Sequence, residues 1–129
     1  MRNVDEAGEW LDRWAGGVSE RAARAAELNR RVAGLTGRAS SRDGTITVVV
    51  AATGQVEDLR LEERVRDLPA REISREILAV MRAAQHTLTE QIAGQVRDTV
   101  GADSETGRTV LDAYARRFPA SDTEADRGR

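Results

Sequence analysis

The sequence predicts an α+β fold: a long N-terminal helix, a small three-stranded antiparallel sheet, a long second helix and a short C-terminal helix. Three observations predict it. Apolar residues recur at threes, fours and sevens on both sides of the chain's middle. Between them lies a Thr- and Val-rich stretch punctuated by Asp43-Gly44 and Thr53-Gly54. Pro69 then marks the return to helical spacing.

Asp5 to Leu35 has helical character, with Leu11, Val18, Ala25 and Val32 seven apart and Trp14, Leu28 and Leu35 on the interleaved line of a heptad stripe. Arg21 takes the one charged slot, where its aliphatic stem can cover apolar surface. Gly16 and Gly17 interrupt the stripe. Each glycine costs a helix about 1 kcal/mol relative to Ala, so the firm helix is expected to start near Val18, with Trp10 and Trp14 on a separate or re-angled turn before it. Arg13, Glu20, Arg24, Glu27 and Arg31 share the outer side with mostly alternating sign, which reads as a salt-bridged solvent face.

Thr36 to Asp43 is small and polar, Asp43-Gly44 is a turn, and Thr45 to Val50 is a strand. Thr53-Gly54 turns the chain again, and Gln55 to Leu61 supplies Val56, Leu59 and Leu61 as the second arm of a hairpin. Two strands alone are marginal, so Thr36 to Arg42 is expected to add a third at the edge. Pro69 suits a helix start because the N–H it lacks would be unpaired there. Ile73, Ile77, Val80, Met81, Ala84, Leu88, Ile92, Val96 and Val100 then define a helix of about thirty residues. Gly101 suits its end, and Asp103 or Ser104 could cap a shorter helix carrying Val110, Leu111, Tyr114 and Phe118, which Pro119 stops. Residues 1–118 are read as one domain and 119–129 as a disordered tail.

A chain of 129 residues allows one modest core, and with 3% aromatic and 33% charged residues that core must be built from Val, Ile, Leu and Ala. Such a thin core on long amphipathic helices is commonly completed by a second copy, which predicts a homodimer, intertwined or sheet-paired. The absence of cysteine excludes a disulfide framework, a thiolate metal site and a cysteine nucleophile. Six acidic residues among the first thirty and no apolar run of membrane-spanning length lead to the expectation of a cytoplasmic chain without membrane contact.

Taken in order, these segments resemble the YbaB/EbfC family. The carrying features are Leu35-Thr36-Gly37, Asp43-Gly44 followed by Ile46-Thr47-Val48 and Val50, Gly54-Gln55-Val56 with Leu59 and Leu61, and the helix from Ile73 to Ala84. The motifs are short, and their order and spacing over about Glu20 to Val100 give them specificity; residues 18–100 are taken as the family core. Residues 101–118 lie beyond it and look like an actinobacterial-style extension. The resemblance implies a nucleoid-associated dimer whose helices project from paired sheets like tweezer arms and which binds duplex DNA with little sequence preference.

Charge sets a condition on that expectation. The net charge is −2, all 20 basic residues are arginine, and no quarter of the chain is basic. Non-specific DNA affinity arises chiefly from neutralised phosphates and released counterions, so the fold must concentrate arginines in space. The candidates are Arg116 and Arg117 at the end of the last helix with Arg108 before them, and then Arg38 and Arg42 on the presumed edge strand.

Catalytic chemistry is sparse. His86, the single histidine, lies outside the apolar line through Ala84 and Leu88 and has no local nucleophile. Glu62-Glu63 and Asp103 with Glu105 are loop acids without apolar surroundings, and neither glycine cluster has phosphate-loop spacing. No enzyme activity, cofactor, metal or small-molecule substrate is expected. Two readings follow: a DNA-binding homodimer, or a dimeric adaptor of the same fold that has lost DNA binding and offers its Trp10 and Trp14 segment or its last helix to a protein partner.

Overall fold

A computed structural model describes residues 2–119; residues 120–129, on which the expectation of a disordered tail falls, lie outside the described residues. Helix α1 (Arg2–Ala33) runs unbroken through Gly16 and Gly17. This corrects the expected start near Val18. Glycine weakens a helix without removing a link of its hydrogen-bond ladder, and a Cβ at either position would meet nothing within 4 Å, so no neighbour forces a bend there.

Strands β1 (Thr36–Ser40), β2 (Ile46–Ala51) and β3 (Val56–Leu61) form an antiparallel sheet in the order β1-β2-β3. The Asp43-Gly44 turn joins β1 to β2, with Gly44 at φ 77°, and the Thr53-Gly54 turn joins β2 to β3, with Gly54 at φ 90°. Both turns need the left-handed conformation that glycine adopts freely. A 3-10 turn over Glu63–Asp67, which the sequence reading treated as loop, buries Val65 beneath the approach to Pro69. Pro69 occupies the N-cap of α2 (Ala70–Thr99). Gly101, at φ 84°, ends α2, and the Ser104 hydroxyl accepts from the Gly107 N–H at 2.9 Å to cap α3 (Glu105–Arg117).

Alternation along β2 decides the layers. Ile46, Val48 and Val50 are buried against α2, with Gly37 and Ala39 of β1 opposite Val50 and Val48 on the same face. On α2, Val80, Ala84, Leu88, Ile92 and Val96 are all buried and spaced by four residues. A spacing of four advances about 40° per step around an α-helix, so the buried line turns through roughly 160° from Val80 to Val96. Its middle, at Ala84 and Leu88, lies against Gly37 of β1, and its end, at Val96, lies against the start of α3 at Gly107. Leu28 of α1 joins the same core, and Arg31 donates to the Gln95 Oε1 at 3.5 Å beside it. Among the described residues no helix is long and apolar enough to cross a membrane.

Helix α3 closes the far end of the sheet. The Tyr114 hydroxyl donates to the Ala52 carbonyl at 2.9 Å, and the Phe118 ring lies directly over Gly54. At Gly37 a Cβ would overlap the Ala84 carbonyl oxygen and lie 2.8 Å from Leu88 Cβ. Gly37→Ala must therefore push α2 off the sheet, and we expect a loss of about 1–3 kcal/mol, read as a lower denaturant midpoint at unchanged slope. An unchanged midpoint would show that α2 does not seat on β1 at this distance.

Candidate nucleic-acid interface

An interface for a polyanion needs guanidinium groups that are exposed and not already engaged. Several arginines are engaged: Arg31 with Glu27 at 2.9 Å, Arg60 with Asp58 at 3.0 Å, Arg64 with Glu62 at 3.3 Å, Arg66 with Glu63 at 3.2 Å, and Arg30 and Arg116 with Glu27 and Asp112. The expected ion-paired face of α1 forms only in its last turns. Glu27 is taken by Arg30 and Arg31, and Arg24 and Glu20 have no ion pair among the described residues. Exposed pairs of this kind are worth about 0–1 kcal/mol, so a phosphate can displace them.

The arginines singled out in the sequence fall into separate places. Arg116 is paired with Asp112, and Arg117 lies 5.1 Å from the Tyr114 ring centroid with its Nη1 donating to the Thr53 carbonyl at 3.5 Å. Arg108 donates twice to the Asp103 carbonyl, at 3.1 and 2.6 Å. Arg116 and Arg117 thus sit at the end of the sheet that carries the β2–β3 turn, and Arg42 sits beside the β1–β2 turn at the opposite end. Arg38 faces away from α2, on the sheet face it shares with Val49, because its neighbours Gly37 and Ala39 face α2. Arg116 and Arg117 are neighbours on α3 but engage different partners, and Arg38 and Arg42 lie apart.

The sequence reading missed a third set. Arg71, Arg75 and Arg82 project from α2 within about 40° of arc over a rise of about 16 Å, on the side away from Ile73, Ile77 and Val80. All three are exposed, and none has a carboxylate within 4.0 Å among the described residues. Their spacing of four and seven was visible in the sequence, but acidic neighbours at Glu72 and Glu76 disguised it. Arg75 also shares a cleft of about 350 Å³ with Arg42, Asp43, Glu72 and Glu76. Carboxylates outnumber guanidiniums inside that cleft, so the outward helix face, not the cleft, suits phosphate.

Asp43 holds the adjoining turn. Its Oδ1 accepts from the Thr45 N–H at 3.1 Å and from the Thr45 and Ser41 hydroxyls at 2.8 Å each. These bonds, the backbone N–H first and then the two hydroxyls, hold its carboxyl below the ordinary aspartate value of 3.8. A depressed folded-state pKa stabilises the fold above the unfolded value, and that stabilisation is lost as pH falls through the folded one.

Trp10 and Trp14 are 60% and 58% exposed and take no part in the protomer's core. His86 is exposed on α2, with its Nε2 3.2 Å from Glu90 Oε1.

Among known proteins, the model of the YbaB/EbfC DNA-binding family matches residues 12–102, from the first third of α1 through the sheet to the end of α2. No curated protein and no solved structure matches the chain.

Below pH 3.8, wild type is expected to lose stability more steeply than Asp43→Ala, whose turn has no carboxylate to protonate. Parallel stability curves between pH 2 and 5, in chemical denaturation, would show that Asp43 does not hold the turn.

Proposed function

The chain belongs to the YbaB/EbfC DNA-binding family, and from that membership we propose that it is a non-catalytic, nucleoid-associated homodimer that binds duplex DNA with little sequence specificity. The single observation that carries the proposal is the family match across residues 12–102. The arrangement of arginines supports it. Guanidinium forks on helix faces and turns reach phosphate oxygens, which fix position on the duplex without reading bases. The compartment that holds the chromosome is the corresponding location.

We assign the main phosphate contacts to Arg71, Arg75 and Arg82 of α2, with Arg42 beside them and Arg38 on the open sheet face. Arg116 and Arg117 form a second set at the other end of the sheet, where Arg116 must exchange Asp112 for phosphate before it contributes, and Arg108 stands apart from them at the start of α3. A homodimer presents each set twice, so each complex can neutralise twice as many phosphates at short range.

The test is duplex binding by the purified protein at low and at physiological salt with two unrelated sequences. Equal, steeply salt-dependent binding to both is expected. Replacing Arg71, Arg75 and Arg82 with Ala should weaken both complexes equally and flatten the slope of log K against log salt by about 0.9 for each phosphate that is no longer neutralised. Arg116→Ala with Arg117→Ala should act in the same direction with a smaller change in slope. No binding by wild type even at low salt would overturn the DNA-binding proposal, and a strong preference for one sequence would overturn its lack of specificity.

A further inference from the structure

His86, the chain's only histidine, takes no part in the core and stands on α2 with its side chain 73% exposed. At about 100° per residue from Arg71, Arg82 falls at about 20°, Arg75 at about 40° and His86 at about 60° around the helix. His86 follows Arg82 by one turn, so the three arginines and the imidazole make one stripe over a rise of about 22 Å. The carboxylates of the same stretch, Glu72, Glu76 and Glu90, gather between about 100° and 140°. His86 therefore lies on the border between a cationic and an anionic stripe, and its own charge decides which one it extends. The other elements meet α2 away from the ring: β1 at Ala84 and Leu88, α1 at Gln95 and α3 at Val96. Among the described residues, the charged groups beside it are Arg82 one turn before and Glu90 one turn after.

The neighbours of the ring make its contribution conditional on a proton. Nε2 lies 3.2 Å from Glu90 Oε1. A carboxylate only accepts, so Glu90 favours the neutral tautomer whose single proton is on Nε2, and Nδ1 is then an acceptor with nothing to offer a phosphate oxygen. Uptake of one proton from solvent at Nδ1 gives an imidazolium, which carries positive charge and a second N–H that Glu90 does not occupy. Histidine is the side chain whose charge ordinarily changes between about pH 5 and 8. Phosphodiesters stay ionised throughout that range. We propose that His86 is a fourth, proton-dependent phosphate contact of the α2 stripe, so that duplex binding takes up protons and tightens as pH falls from about 8 to 6. The proposal rests on the reading of α2 as the main phosphate-binding face and adds to it a residue and a form of regulation.

The test is binding of the full chain to one duplex at constant salt at about pH 8, 7 and 6, for wild type, His86→Gln and His86→Arg. Wild-type affinity is expected to rise on the order of tenfold, from two copies per homodimer of an exposed contact worth about threefold each. The slope of log K against log salt should steepen by about 0.9 for each histidine that becomes charged on phosphate. His86→Gln should lose both changes, and His86→Arg should bind at the highest pH about as tightly as wild type does at the lowest. A terminal amine also titrates in this range, but it is common to all three proteins. Equal pH dependence in wild type and His86→Gln overturns the His86 contact and leaves the arginine stripe standing, because Arg71, Arg75 and Arg82 keep their charge at every pH tested. So does a wild-type affinity that is flat across the range. No wild-type binding at any of these pH values, even at low salt, overturns the phosphate-binding reading as well.

Discussion

The close approach of α2 to β1 at Gly37 governs the remaining geometry. No side chain separates the strand from the helix there, so the Ala84 carbonyl and Leu88 lie nearly on the sheet backbone. From that fixed point the strict four-residue spacing of Val80 to Val96 determines what α2 can bury next. Because the line turns as it climbs, the same helix faces the sheet at Leu88 and α3 at Val96. Leu28 can then seal the core from α1, and α3 can reach back to the β2–β3 turn through Tyr114 and Phe118. A seven-residue spacing, as on α1, drifts only about 20° per repeat, and its stripe stays on one side. α1 buries only its last turns because the rest of it meets no neighbour in the protomer, whereas α2 is covered along much of its length.

The elements were legible in the sequence because each has a local cause. Pro69, Gly101 and Ser104 bound helices by chemistry that acts within one turn, and the Thr-Val run of β2 is bounded by two turns in which Gly44 and Gly54 take positive φ. The 3-10 turn over Glu63–Asp67 was not legible, since a single buried Val65 gives no period to read. Gly16 and Gly17 misled for another reason: helix propensity is a weak prior, and two glycines lower the stability of α1 without deciding its path. At the interface, pairs within four residues were readable, as with Arg116 and Asp112. Arg38 and Arg42 look like neighbours in the sequence, and only the strand pairing separates them by face and the turn by position. The spacing of Arg71, Arg75 and Arg82 was readable, but whether Glu72, three residues before Arg75, engages it was not, and only the folded structure shows these three without a carboxylate partner.

That distinction bears on how an acidic chain can bind a polyanion. Net charge governs attraction over many ångströms, where solvent and salt screen it within about 8 Å at physiological ionic strength. Contact depends instead on which cations are free at the surface. Here carboxylates and arginines are sorted by engagement: Glu27, Asp58, Glu62, Glu63 and Asp112 each hold an arginine that is close in sequence, and among the described residues α2 shows four that are not held, Arg71, Arg75 and Arg82 on one face and Arg97 near its end. A binder built this way gains little from long-range steering and relies on short-range exchange of counterions for phosphates, so its affinity on the proposed reading falls within a narrow range of salt.

The N-terminal half of α1 presents the same economy in apolar terms. Most helical stability in proteins comes from burying a face. Residues 6–24 of α1 bury none in the protomer and include three glycines, Gly8, Gly16 and Gly17, each less favourable than Ala by about 1 kcal/mol. Two tryptophans on such a segment add no stability while they face water, but they dominate the energy of any contact that covers them. Whatever seats Trp10 and Trp14 must therefore also offset the three glycines.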